Sequence, residues 1–140
     1  NNKIEAYRYT TENKPFELFQ TISAFKEEVP FYSATSSAIK IHPNEKFLYT
    51  AHRGIKNTPE DVLALFTIHP QSGNLTFIKN INTNGKVPRD FAIDPSGKFL
   101  VVANQETGNL VSFIVDQETG DLSLTGFELE IKSATCIKFK

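Results

Sequence analysis

An internal repeat constrains this chain more than any other feature. Residues 39–52 and 91–104 align without a gap, so that Ile41, Pro43, Lys46, Phe47, Leu48 and Ala51 recur as Ile93, Pro95, Lys98, Phe99, Leu100 and Ala103, 52 positions later. Phe66, Gly73 and Leu75 recur as Phe113, Gly120 and Leu122 at a spacing of 47, which locates a five-residue excess within 54–61 of the earlier copy. A partial copy opens the chain: Tyr7, Tyr9, Phe16 and Leu18 match Phe66, Ile68, Leu75 and Phe77 at a spacing of 59. Repeats of about 40–50 residues belong to units that cannot bury their own apolar faces and must stack on one another.

Inside each copy, short runs alternate with a period of two and end in turn chemistry at 42–46, 71–74, 94–98 and 118–121. Gly there supplies positive φ, Pro pre-sets φ, and Asp or Asn bonds the local backbone. Four strands per unit follow: 38–41, 47–51, Val62–Ile68 and 75–81 in one copy, then 91–93, 99–103, 110–115 and Leu122–Glu130 in the next. Phe99 and Val101 point one way and Leu100 and Val102 the other, which predicts a strand buried between two layers. Thr58, Pro59, Glu60 and Asp61 carry a helix-start pattern. The repeat nevertheless aligns the run behind them with a strand and leaves them in a longer loop.

The expected fold is all-β: a β-propeller of four-stranded antiparallel blades, of which this chain holds about two and a half. Residues 1–36 read as the outer half of a blade with its crossover, 37–82 and 83–131 as full blades, and 132–140 as a closing strand built on 135–139. Too few blades to close a ring imply a C-terminal piece of a longer propeller. Its exposed strand edges would be covered by missing N-terminal blades or by another copy. The 12 Phe and 4 Tyr are then expected to pack between blades.

Composition narrows the functional classes. With 15 Lys and Arg against 16 Asp and Glu, the net charge of −1 makes no electrostatic case for nucleic acid or an anionic membrane. One Cys excludes a disulfide framework, and Cys136, in an apolar run, is expected in the core. No apolar stretch reaches the roughly 20 residues of a membrane span, and no basic-then-apolar leader is present. Three isolated His residues, and Asp-containing turns without a calcium-loop ligand ladder, predict no metal. His42, His69, Asp94 and Asp116 fall in turns and read as structural. Residues 82–86 form a Gly-containing loop with no following helix, hence no phosphate loop.

Strand parity concentrates the chemistry. Successive connections in an antiparallel blade alternate between the two faces of the ring, so the tight turns share one face and the remaining loops the other. That second rim collects 32–37, 51–56, 86–90 and 103–108. Arg53 and Arg89 there suit a bidentate grip on a carboxylate or phosphate, or inter-blade ion pairs with Asp90 or Glu106. Asp90 is a general base toward water, or a cap at the start of its own strand. His52 is the best-placed group for titration near pH 7, or a rim hydrogen-bonder. Asn104 and Gln105 suit sugar hydroxyls, and an Asn capping a turn fits equally.

Ser37 to Pro43, Phe47 to Tyr49, His52 to Gly54, Pro88 to Leu100, Ala103 to Gln105 and Thr135 to Phe139 together resemble the seven-bladed propeller lactonase family. That family includes the cycloisomerase-type 6-phosphogluconolactonases and the fungal carboxy-muconate cyclases. The resemblance implies a cytoplasmic hydrolase that opens 6-phosphogluconolactone in the pentose phosphate route, with a small anionic sugar lactone as substrate and no cofactor. It implies catalytic roles for Arg53, Arg89 and Asp90, and substrate contacts from His52, Asn104 and Gln105. Two positions depart from the family pattern: His52 stands where Asn is usual, and Glu45 replaces a turn Gly. The family's earlier blades, with rim His, Arg and Glu of their own, have no counterpart here, so this stretch alone is expected to be inactive. A muconate-type lactonising isomerase and a non-catalytic binding scaffold are the alternatives.

Overall fold

The structure is a computed structural model that describes residues 2–9, 11, 15–26, 34–54 and 61–140. Its strands are β1 (Lys3–Tyr9), β2 (Phe16–Ser23), β3 (Ala34–Ile41), β4 (Phe47–Gly54), β5 (Val62–Ile68), β6 (Leu75–Asn82), β7 (Pro88–Ile93), β8 (Phe99–Asn104), β9 (Asn109–Val115) and β10 (Leu122–Glu130). They form a two-stranded sheet, β1-β2, and two four-stranded antiparallel sheets, β3-β4-β5-β6 and β7-β8-β9-β10. Each sheet follows chain order, as the repeat requires. Residues 58–60, with the helix-start pattern, lie outside the described residues.

The inner strands begin earlier than alternation predicts, because each contains a bulge. Register shifts fall between Ser36 and Ala38 in β3 and between Pro88 and Asp90 in β7, 52 positions apart. An extra residue at a bulge flips the alternation, so a strict period-two reading stops there. The repeat thus extends to a backbone irregularity that has no residue signature.

Stacking builds the core. Phe47, Tyr49 and Ala51 of β4, with Leu63 and Leu65 of β5, pack against Phe91, Leu100, Val102, Val111, Phe113 and Val115 of the second four-stranded sheet. On the other face of the first sheet, Leu48, Ala64, Phe66 and Leu75 join Ala24, with Ile4 and Ile22 of the two-stranded sheet against them. β4 is therefore buried on both faces. Each fully buried large apolar side chain contributes roughly 1.5–3 kcal/mol. Polar bonds register the layers: Tyr49 Oη donates to Gly120 O at 2.6 Å, and Ser37 Oγ donates to Pro88 O at 2.5 Å. The Gln20 amide both donates to and accepts from the Leu75 backbone, at 2.8 and 2.7 Å.

The second four-stranded sheet is covered on one face only. Leu100 and Val102 are fully buried while Phe99 is 46% exposed, so the expected burial of this strand between two layers is met on one side. Ile114, Phe127 and Leu129 are exposed with it, because among the described residues no further sheet lies on that face. The aromatic residues divide in the same way. Phe47, Phe66, Phe91, Phe113 and Tyr49 are buried between sheets, whereas Tyr7, Tyr9, Phe16 and Phe127 are exposed. Residues 135–139 form no ladder, and Cys136, expected in the core, is exposed, since no strand pairs with this segment to cover it.

Equivalent turns treat one backbone position differently. Gly97 has φ of 73°, and its repeat counterpart Glu45 adopts φ of 62° with a side chain. A Cβ on Gly97 would stand 2.6 Å from Cε1 of His42, whose Nε2 is 2.8 Å from Gly97 O. Gly97→Ala is therefore expected to lower unfolding stability by about 3 kcal/mol, and Glu45→Gly to raise it by up to about 1 kcal/mol. Denaturant midpoints of the two variants check both signs.

Candidate functional site

The tight turns at 42–46, 69–74, 94–98 and 116–121 close one end of the four-stranded sheets. At the other end meet the C-terminus of β4, residue 61, the 83–87 loop, the start of β7 and the 105–108 turn. Parity thus gathers the described candidates on one rim; residues 32–33 and 55–56 lie outside the described residues.

Arg53 follows Ala51 on the face of β4 turned to the second four-stranded sheet, since side chains alternate along a strand. It is half-buried, and its Nε is buried without a hydrogen-bond partner among the described residues. Arg89 sits in the β7 bulge and is exposed. The described residues hold two ion pairs, Lys40–Asp90 and Lys79–Asp121, and neither involves an arginine. The alternative reading, in which the arginines pair with Asp90 or Glu106, is not met. For Arg53, partial desolvation without a counter-charge among the described residues favours binding an anion.

Asp90 is occupied on both oxygens. Oδ1 lies 3.7 Å from Lys40 Nζ, and Oδ2 accepts the Ile137 N–H at 2.9 Å. It caps the tail rather than the start of its own strand. Gln105 is half-exposed one repeat after Arg53, and its N–H donates to Val87 O at 2.8 Å.

His52 and Asn104 are repeat counterparts, and the structure takes both off the rim surface. Each lies opposite the residue before the bulge, Ser36 and Pro88 respectively, and alternation turns each toward the preceding sheet. His52 is 1% exposed; Nε2 is 2.6 Å from Thr50 Oγ1, Nδ1 is 3.2 Å from Ser36 Oγ, and Phe25 packs edge-on at 5.1 Å. Burial pushes its pKa down to about 4, so it is neutral at pH 7 and does not titrate there as expected. Asn104 is fully buried, donates from Nδ2 to Thr83 O at 3.0 Å, and lies under Gly85, where a Cβ would stand 2.3 Å from that nitrogen. It braces the 83–87 loop from beneath.

Sequence reading missed Asp61. Its carboxylate, on a residue only 4% exposed, accepts the Gly54 N–H through Oδ1 and the Val87 N–H through Oδ2, the latter at 2.6 Å. Its carbonyl oxygen takes both the N–H and the hydroxyl of Thr83, at 3.2 and 3.1 Å. Val87 adopts φ of 59°, a conformation costing a β-branched residue on the order of 1–3 kcal/mol. In the sequence Asp61 only ends a loop of irregular length, and local pattern does not report contacts with position 87. Among the described residues no group of three His, Cys, Asp or Glu side chains is arranged to hold a metal ion.

His52 carries a pH signature. Between about 4 and 6.5 the unfolded chain binds its proton and the folded chain does not, so stability rises with pH across that window, by roughly 3 kcal/mol. His52→Gln is expected to flatten this slope in unfolding midpoints recorded from pH 4 to 7. A variant that keeps the wild-type slope would assign it to other groups.

Comparison with known proteins follows the same geometry. The chain is 37% identical over 138 residues to a 6-phosphogluconolactonase of Bacillus subtilis, covering 99% of this chain and 38% of that relative. A solved structure from Bacteroides fragilis superposes with a TM-score of 0.86 at 29% identity, over 99% of this chain and 36% of that one. The periplasmic gluconolactonase of Pseudomonas aeruginosa superposes with a TM-score of 0.78 at 25% identity, over 94% of this chain and 35% of its own. The chain thus spans little more than a third of the length of the relatives it matches. Residues 1–139 match the sequence profile described as "Lactonase, 7-bladed beta-propeller", and the chain belongs to that family.

Proposed function

We propose that this chain contributes two blades and part of a third to a seven-bladed ring that hydrolyses a sugar lactone, with 6-phosphogluconolactone as its substrate. The observation that carries this reading is the 37% identity, over 99% of the chain, to a relative bearing the 6-phosphogluconolactonase name. Two arginines, at the end of β4 and the start of β7, have no counter-charge among the described residues and supply the chemistry such a substrate needs. In this reading residues 1–36, 37–82, 83–131 and 132–140 are a half blade with its crossover, two full blades and a closing strand. The remaining blades cover the exposed faces, and the protein works in the cytoplasm. Among the described residues, no helix is long and apolar enough to cross a membrane.

Ring opening requires water to attack the lactone carbonyl and requires stabilisation of the oxyanion that develops. Arg53 and Arg89 grip the phosphate and polarise the carbonyl. Both are permanent cations, and Arg53 is partly desolvated, which strengthens its pull on an anion. Asp90, held by Lys40 and the Ile137 N–H, orients the water, and Gln105 meets sugar hydroxyls. His52 and Asn104 act from beneath, holding the strand ends that present these groups.

Initial rates of the full-length protein on 6-phosphogluconolactone and on unphosphorylated gluconolactone test the assignment. Arg89→Ala is expected to lower kcat/KM on the phosphorylated lactone at least tenfold. Unchanged kinetics would remove Arg89 from the site. A preference for the unphosphorylated lactone would move the substrate toward that named for the Pseudomonas relative.

A further inference from the structure

We propose that Asp61 is a positioning residue that sets the spacing of the two rim arginines. The inference rests on the roles of Arg53 and Arg89 proposed above. Gly54, whose N–H one carboxylate oxygen accepts, is the next residue after Arg53 and ends β4. Val87, whose N–H the other oxygen accepts at 2.6 Å, lies two residues before Arg89 and leads into β7. One buried carboxylate therefore joins two separate sheets at the two peptides flanking the site.

Three features make this a fixed spacer and not an incidental contact. Both oxygens are engaged by backbone N–H groups of different sheets, so the carboxylate cannot rotate without losing a bond. The Asp61 carbonyl adds two more bonds to Thr83, tying down the far end of the 83–87 loop. Val87 is held at positive φ between two bonds: its N–H goes to Asp61, and its carbonyl accepts the Gln105 N–H. A left-handed β-branched residue relaxes when its restraints are removed. Release of the Asp61 bond would carry that relaxation straight into the bulge bearing Arg89.

Asp61→Asn keeps the shape but turns an amide N–H₂ toward one of the two N–H donors, so one bond is lost and two donors face each other. In the full-length protein, well below its unfolding midpoint, this substitution is expected to lower kcat/KM on 6-phosphogluconolactone at least tenfold. In an Arg89→Ala background the same change is expected to have less than a threefold effect, because the group it positions is gone. Amide exchange at Val87 or Gly54 is expected to accelerate at least tenfold. Asp121→Asn, which breaks the Lys79 pair on the opposite face, should leave activity unchanged. Equal losses in both backgrounds, or unchanged kinetics with a lowered midpoint, would reduce Asp61 to a stability role and overturn the proposal. A wild-type protein without lactone turnover would sink the lactonase reading alone; amide exchange then decides the spacer, and unchanged rates at both positions reject it.

Discussion

Everything in this structure depends on sheets that are apolar on both faces and must be stacked to be stable. A four-stranded sheet in water would expose one row of large side chains whichever way it turned. The first four-stranded sheet resolves this by lying between two neighbours, so that Phe47, Tyr49 and Ala51 serve one interface and Leu48 and Phe66 the other. Close approach is needed at the interface, and small residues provide it. Phe47 packs on Gly120 so tightly that a Cβ there would stand 2.7 Å from its ring. The Tyr49 hydroxyl, buried with it, finds its acceptor in the carbonyl of the same glycine.

Stacking also decides what happens at the rim. Because alternate residues of a strand serve opposite interfaces, the consecutive residues His52 and Arg53 enter different environments. His52 turns into the interface with the two-stranded sheet, loses its water, and stays neutral. Arg53 turns toward the following sheet, where the bulge of β7 presents Arg89. The same rule buries Asn104 under Gly85 and leaves its successor, Gln105, within reach of the rim. At the ends of β4 and β8 the pattern is the same: the residue facing the preceding sheet is a brace, and the next one is turned toward the following sheet.

How far such an arrangement is legible without coordinates can be judged residue by residue. Val62–Ile68 and Leu122–Glu130 match their expected bounds, since alternation and turn residues are local properties. The starts of β3 and β7 lie earlier than expected, because a bulge breaks the alternation used to find them. The rim was legible from strand parity, which follows from counting. Asp61 was not, because its significance lies in bonds to positions 54 and 87 on two different sheets. Nor was the exposure of Cys136 or Phe99, since an apolar run does not say whether a neighbour covers it.

The sequence by itself determined the repeat, the all-β class, the four-strand unit and the face on which the variable polar residues gather. Each of these follows from spacing along the chain, through side-chain alternation and turn chemistry, and spacing survives without knowledge of contacts. Only the tertiary structure decided which polar residues are braces and which are reachable, that the arginines have no counter-charge among the described residues, and that one carboxylate joins the two strand ends bearing them. Those properties depend on burial and on hydrogen bonds between residues far apart in sequence. They come into being when the sheets stack.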